Sequence, residues 1–303
     1  MNGCGYNHKM FYQILSITGP VFILIFIGFF VSKCNIDIHQ KTLGFLLTHI
    51  GSPCLIFNAL STTNIDYIIL IEIGSAAISV IFISSLLAIL VIKLLKESFS
   101  PYFSCLIHPN SANLALPLSI LTYGEQGLIF AIPYFVVVAF SQNTIGYMTI
   151  LGSVNIFRLF YHPIFVMTFL GAFIMITKIN VPEIALTSTK YLGNLVIPLS
   201  LILLGYSLPS LKVDNFKKGL IFSIARFLIG FTSAISVIYF GGFQGPQAGV
   251  IMIMSMMPVA VLNYIFTVQN DKDSNTVGGL VMISTTIMLV VLPFFMNNIL
   301  NYY

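Results

Sequence analysis

The chain has 303 residues, of which 57% are hydrophobic and only 7% are charged, and its mean hydropathy is +0.98. These values exclude an ordinary soluble domain and predict a protein whose helices lie in a lipid bilayer. The net charge of +4 does not indicate a nucleic-acid partner, because the basic residues stand singly at the ends of apolar runs. The four cysteines form no Cys-x-x-Cys pair, so we expect no disulfide framework, metal site or cofactor.

Apolar stretches separated by polar breaks predict ten transmembrane helices, since a helix needs about 20 apolar residues to cross the hydrocarbon core. The first apolar run lacks a small-residue cleavage site at its end, and we interpret it as a retained span. In chain order, spans 1 to 10 are predicted at 11–32, 38–60, 67–92, 100–121, 126–151, 158–178, 187–208, 216–240, 247–268 and 276–300.

Lysine and arginine are distributed unequally between the two sides that ten alternating spans would create. Because basic residues in short loops are retained on the cytoplasmic side, both termini are predicted to face away from the cytoplasm of a bacterial cell, in its inner membrane. The loops after odd-numbered spans contain nine basic residues, which are Lys33, Lys41, Lys93, Lys96, Arg158, Lys212, Lys217, Lys218 and Lys272. The opposite side contains three, which are Lys9, Lys178 and Lys190.

The two halves of the chain, 1–152 and 153–303, repeat a pattern of prolines and glycines. Because each half holds an odd number of spans, the second half would be inverted relative to the first, as in many secondary transporters. The alternative is chance, since prolines are common in membrane helices. The matching pairs, 141–145 residues apart, are Pro20 with Pro163, Gly28 with Gly171, Pro53 with Pro198 and Pro117 with Pro258.

Span 4 contains two prolines and two asparagines near the predicted midplane of the bilayer. Each proline removes a helix hydrogen bond, so we expect a break that leaves N–H groups and a partial positive charge, which suit an anion. Span 9 has Pro258 and Asn263 in the corresponding place, and paired interruptions indicate a binding site. The alternative is a kinked helix whose asparagines satisfy neighbouring backbone groups. The four residues of span 4 are Pro109, Asn110, Asn113 and Pro117.

The order of these motifs resembles the auxin efflux carrier family, which includes PIN-type plant auxin exporters and bacterial carriers of malonate and other organic acids. Residues 109–117 resemble the family's Asn-x-x-x-x-Gly-x-Pro motif, with Ala115 in place of the glycine. Residues 162–171 resemble its Asn-Pro…Gly element, with His162 in place of the asparagine. Residues 198–208 are similar to its Pro-Leu-x-Leu…Gly-x-Ser-Leu stretch.

The resemblance implies an all-α membrane fold like that of sodium/proton antiporters or bile-acid symporters, a 5+5 inverted repeat in which broken helices 4 and 9 cross. It also implies that spans 1, 2, 6 and 7 form a dimerising scaffold and that spans 3–5 and 8–10 form a transport domain. A small organic anion would be exported after binding beside the crossing. The implied binding residues are Asn110, Asn113, Pro109, Pro117, Pro258, Asn263, Asn58 and His162.

Ionisable residues inside spans are costly and therefore indicate function. Arg226 in span 8 has either a structural role, bonding carbonyls of the broken helices, or a direct functional one. Glu72 in span 3 either pairs with Arg226 or reaches the outer interface. No carboxylate falls in the crossing region, so uniport, or proton coupling through a histidine such as His108, is favoured over a sodium site.

Three other functions compete with transport. An intramembrane enzyme would need a motif such as His-Glu-x-x-His or Gly-x-Ser-x-Gly, and the sequence contains neither. A membrane sensor can use a transporter-like fold, and a channel could share the broken helices, although paired interruptions favour alternating access. We therefore expect a non-enzymatic secondary transporter whose partners are the bilayer, a second copy of the chain and its substrate.

Overall fold

The computed structural model describes residues 3–34, 36–62, 67–151, 163–210, 216–269 and 274–302. Within these residues the chain is helical, and the only strand-like pairing is an isolated bridge between Pro109 and Val259. The prediction of an all-α protein is thus confirmed. The helices are α1 (Gly3–Lys33), α2 (Gln40–Leu46), α3 (Ser52–Thr62), α4 (Tyr67–Leu94), α5 (Phe99–Ile107), α6 (Leu116–Ser141), α7 (Tyr147–Leu151), α8 (Pro163–Thr177), α9 (Glu183–Asn194), α10 (Val196–Ser207), α11 (Phe216–Gly241), α12 (Gly245–Met256), α13 (Val261–Gln269) and α14 (Ser274–Tyr302).

Irregular turns join several of these helices. Single π-helical turns at Leu47–Gly51 and Gln142–Gly146 join α2 to α3 and α6 to α7. A third π-helical turn, Ser111–Ala115, leads directly into α6. A 3-10 turn at Leu208–Ser210 follows α10. Such turns relieve or redirect a helix without exposing its backbone, which matters in a bilayer because no water is present to bond free groups.

Six helical stretches in the described part of the chain are long and apolar enough to cross a membrane, and the protein is an integral multi-pass membrane protein. Two further apolar helices, Gly19–Lys33 and Pro163–Thr177, are shorter. Predicted spans 100–121 and 247–268 are each interrupted, so neither is one continuous helix. The six stretches are Thr42–Thr62, Tyr67–Leu94, Ser111–Ile150, Glu183–Tyr206, Phe216–Gly241 and Asn275–Leu300.

One group of helices packs through close backbone contacts. Helix α1 lies along α10, and α3 lies against α8 and α9. Gly28 of α1 faces the carbonyl oxygen of Ile202, and Gly205 of α10 faces the carbonyl oxygen of Ile25, so a Cβ at either glycine would overlap the opposite backbone. Small residues allow membrane helices to approach this closely because no side chain separates them. We refer to α1, α3, α8, α9 and α10 as the first helix group.

Helices α4, α5, α6, α11, α12 and α14 pack around one another and form the second helix group. Ser84 of α4 donates a hydrogen bond of 2.9 Å to Ser233 of α11, and both hydroxyls are buried. The Tyr102 and Phe222 rings stack with centroids 4.1 Å apart and so join α5 to α11. The π-helical turn Ser111–Ala115, at the start of α6, lies against α10 of the first group. The region around this turn is therefore a boundary between the two groups.

Candidate substrate site at two paired helix breaks

Two helices are interrupted at prolines. Helix α5 ends at Ile107, and helical backbone resumes at Ser111. Helix α12 ends at Met256, and α13 begins at Val261. The residue before each proline is extended, with φ −103° and ψ 108° at His108 and φ −66° and ψ 156° at Met257. Proline explains both interruptions, because it has no N–H to donate and its ring disfavours helical backbone at the preceding residue.

The two extended segments, His108–Asn110 and Met257–Ala260, pair with each other as antiparallel strands do. The backbone N–H of Asn110 donates to the Pro258 carbonyl at 2.7 Å, and that of Ala260 donates to the His108 carbonyl at 3.2 Å. The N–H of Val259 donates to the Ser284 hydroxyl of α14 at 3.1 Å. Backbone groups that the breaks leave without a helical partner are therefore hydrogen-bonded largely between the two segments, as buried non-helical backbone requires.

The structure corrects the alignment of Pro117 with Pro258. Pro258 lies in an extended segment, but Pro117 is the second residue of α6, and the helix continues through it. The residue that faces Val259 across the pairing is Pro109, not Pro117. A π-helical turn precedes Pro117, and such local turns accommodate a proline inside a membrane helix. Pro109 therefore breaks the first helix, whereas Pro117 does not.

Arg226 joins the two broken helices from α11. Its side chain is 1% exposed, and its Nη1 donates to the Leu106 carbonyl at 3.1 Å while Nη2 donates to the Ser255 carbonyl at 2.6 Å. These carbonyls lie in the last turns of α5 and α12. Gly230 makes room for this contact, because a Cβ there would overlap the Ser255 oxygen. Of the two roles considered for Arg226, the hydrogen bonds are those of the structural one.

A buried polar network lies behind the first break. The His108 ring nitrogens Nδ1 and Nε2 lie 3.0 Å from the Ser104 and Ser141 hydroxyls, respectively. The Ser104 hydroxyl donates its only hydrogen to Asn263 Oδ1 at 2.8 Å, so His108 Nδ1 must donate to Ser104. The Ser141 hydroxyl is the partner of Nε2. Gln142 also contacts Asn263 Oδ1, at 3.4 Å.

Asn110 carries a buried donor without a hydrogen-bond partner, as Arg226 does at Nε. Its side chain is 2% exposed, and its Nδ2 has no hydrogen-bond partner, although its backbone N–H and carbonyl are both bonded. It precedes the π-helical turn Ser111–Ala115 without capping it through its side chain. A buried amide donor without a partner costs about 1–3 kcal/mol, so this position favours an acceptor supplied from outside the chain. Asn113, in the same turn, is half-buried.

The remaining predicted residues lie elsewhere or are not described. Asn58 of α3 donates through Nδ2 to the Leu186 carbonyl of α9 at 2.9 Å, so this donor is used inside the first helix group. Glu72 is exposed near the start of α4, as expected of a carboxylate that reaches an interface, and Arg226 bonds carbonyls instead of pairing with it. His162 lies outside the described residues.

Three polar residues of the site were not anticipated. Ser104, Ser141 and Gln142 complete the network around His108, and all three are buried. The available signal in the sequence was weak, because serine is common in membrane helices and usually bonds its own backbone. A glutamine in an apolar run is the stronger signal, since burying its amide without partners is costly.

Comparison with known proteins supports a transporter in general terms. No known family profile matches the chain. The chain is 26% identical over 296 residues to an uncharacterized transporter of Methanocaldococcus jannaschii, and the alignment covers 90% of this chain and 94% of that protein. It is 27% identical over 197 residues to an uncharacterized transporter of Methanothermobacter thermautotrophicus, covering 61% of this chain and 63% of that protein. The names of both relatives indicate transport and specify no substrate.

Proposed function

We propose that the protein is a secondary transporter of the auxin efflux carrier type, which exports a small organic anion across the cell membrane by alternating access. The observation that carries this proposal is the pair of helix breaks bonded face to face, with the unpartnered Asn110 amide beside them. Non-helical backbone is tolerated at membrane depth only inside protein or around a cavity, and transporters use such breaks to hold their substrates.

The breaks supply what an anion requires. Helical backbone begins at Ser111 and at Val261, directly after the two extended segments, and the start of a helix carries a partial positive charge. Asn110 adds an amide donor without a full charge. A carboxylate there would accept hydrogen bonds from fixed donors in a region with little water, where such bonds are strong.

The proposed architecture is a ten-helix inverted repeat. In it, α5 with the start of α6 forms crossing helix 4, and α12 with α13 forms crossing helix 9. The first helix group would be the scaffold, which would also form a homodimer, and the second group would be the moving transport domain. In support, the turn after Asn110 lies at the boundary between the groups, where a substrate could be exposed to either side.

The same site favours uniport. No carboxylate in the described part of the chain is buried, so no described side chain resembles the acidic ion ligands of sodium-coupled carriers. His108 is fully buried and both of its ring nitrogens contact serine hydroxyls, so neither nitrogen faces solvent. We propose that the substrate's own gradient drives transport.

The experiment is transport by purified protein in proteoliposomes, with a panel of labelled monocarboxylates, dicarboxylates, amino acids and indole acids. At least one organic acid should be taken up in counterflow, which a sensor would not support. Asn110→Ala should lower the affinity for that acid about tenfold or more, because a charged acceptor loses a buried donor. Asn298→Ala, which removes an exposed amide bonded to the Phe294 carbonyl, is the matched control.

Two results would contradict the proposal in different ways. Absence of counterflow for the whole panel, in folded protein, would oppose transport of organic anions. Normal affinity of Asn110→Ala at matched protein levels would leave transport intact and remove the first break from the binding site.

A further inference from the structure

Four helix ends meet at the paired breaks. Helices α5 and α12 end there, and helical backbone starts there at Ser111 and at Val261. The run that starts at Ser111 is helical up to Gly124, where the backbone leaves the helix at φ 60° and ψ −131°, and α13 has 9 residues, so both starts belong to substantial helices. Each C-terminal end carries about −0.5 of an elementary charge and each N-terminal end about +0.5. Without side chains, the four ends would sum to about zero.

Arg226 changes this balance. Its guanidinium donates to a carbonyl in the last turn of each ending helix, so its charge lies at the two negative ends. One full positive charge balances two ends of about −0.5 each. It is the only charged side chain among the buried residues that the structure describes, so no buried carboxylate there offsets it.

The two N-terminal ends therefore keep their positive charge. No acidic residue lies in the first turn of Ser111–Ala115 or of α13. Asn110 stands before the first of these ends, is buried and has an unpartnered Nδ2, which independently indicates a missing acceptor. The site has a net charge of about +1 and a free donor, both in a low-dielectric interior where an unbalanced charge is costly.

We propose that Arg226 sets the charge preference of the site without touching the substrate, so that the site accepts one negative charge. The inference rests on the proposed transport function and narrows its substrate class to monocarboxylates. A dicarboxylate would bring a second, unbalanced negative charge into the interior, and a neutral amide would leave the positive ends uncompensated. Arg226 is thus a positioning residue for both helices and a determinant of specificity.

The test compares ligands that have the same shape but different charge. Two sets serve at neutral pH: malonate, malonamate and malonamide, and glutarate, glutaramate and glutaramide. Indole-3-acetate and its amide form a larger pair. Binding to the purified protein is measured by calorimetry and by the shift in melting temperature. In any set that binds, the singly charged member should bind at least about tenfold more tightly than the others.

Two variants test whether Arg226 sets the preference for a singly charged ligand. Arg226→Lys keeps the charge and loses the forked geometry, so its melting temperature should fall while the preference for the monoanion remains. Arg226→Met should lose at least about tenfold of the monoanion-to-amide affinity ratio, a quantity that loss of packing alone would not change. Gly74→Ala serves as a control, because a Cβ there meets nothing within 4 Å.

Several outcomes would overturn the inference. Tightest binding by a dianion or an amide in the wild-type protein would do so even if neither arginine variant folds, and it would leave the transport proposal standing. An unchanged affinity ratio in folded Arg226→Met would remove Arg226 from specificity. Failure of every acid to bind or to undergo counterflow would instead overturn the transport proposal and this inference with it.

Discussion

The two helix breaks share one backbone geometry but differ in their side chains. The first break presents His108 and Asn110, whereas the second presents only apolar side chains, from Met257 to Ala260. Asn263, the buried amide that follows the second break, is bonded at both its oxygen and its nitrogen, while Asn110 keeps a free donor. Backbone pairing therefore constructs the site from both halves, and of the two extended segments only the first holds a side chain with an unpartnered donor.

The largest expected effect concerns Arg226, which is hydrogen-bonded to the helices that end at both breaks. Gly230→Ala would place a Cβ against the Ser255 carbonyl and 3.2 Å from Arg226 Nη1, and so would disturb the link between α5 and α12. The free energy of unfolding should fall by about 2–3 kcal/mol, as for other overpacked interiors. Thermal unfolding in detergent measures it, with Gly74→Ala as the control. Equal stability of both variants would show that Arg226 does not hold the breaks together.

The next prediction separates the two asparagines. Asn263→Ala removes the acceptor of the Ser104 hydroxyl and of the Gln142 amide, so it should cost about 1–3 kcal/mol of stability with substrate affinity unchanged. Asn110→Ala should lower the substrate affinity without lowering the stability, because it removes a donor that is unsatisfied in the free protein. Melting temperature and substrate affinity are measured for both variants. If both variants changed melting temperature and substrate affinity in the same way, the two breaks would not differ in their role.

A smaller effect is expected behind the first break. Ser141→Ala removes the hydroxyl that is hydrogen-bonded to His108 Nε2 and should destabilise the protein by about 1 kcal/mol. Ser79→Ala is the matched control, because that hydroxyl is exposed and bonds only within its own helix, at Ser75. Thermal unfolding again measures the change. If Ser141→Ala behaves as the control does, the polar network does not support the break.

The smallest expected effect is that of sodium. Neither break presents a carboxylate, so replacing sodium with choline should leave counterflow in proteoliposomes unchanged. The measurement uses the same labelled acid in both salts, with potassium as a third condition. A strict requirement for sodium would reveal an ion site built from carbonyl oxygens at the breaks.

Local rules predicted the helical class and the position of the breaks. Pro109 and Pro258 cannot donate a helix hydrogen bond, which agrees with the two breaks. Proline alone does not determine a break, because α1, α6 and α14 continue through Pro20, Pro133 and Pro293. The same rule failed at Pro117, because a π-helical turn lets α6 continue through it. The alignment of the two halves also assumed a spacing of 141–145 residues throughout. The π-helical turn Ser111–Ala115 lies between Pro109 and Pro117, where that assumption led to the wrong proline.

The partners of the buried polar groups could not be predicted. Arg226 bonds a carbonyl 120 residues away, and Ser104 bonds an amide 159 residues away. Such contacts depend on how the helices assemble, and a single sequence does not encode them in any local pattern. The sequence offered bonding to carbonyls of the broken helices as one of two roles for Arg226, because a buried charge without partners is costly, but it did not indicate the individual carbonyls, those of Leu106 and Ser255.

The contact between α1 and α10 has a consequence for which mutations the protein can tolerate. Gly28 and Gly205 each meet the other helix at its backbone, so no flexible side chain stands between the two helices. A larger residue at one position cannot be rescued by a smaller one opposite, because the opposing atom is a carbonyl oxygen that every residue type shares. The only available compensation is for the helices to separate, and separation would release both glycines from the constraint at once. We therefore expect second-site suppressors of Gly28→Ala to lie outside this contact, where they would let α1 and α10 move apart.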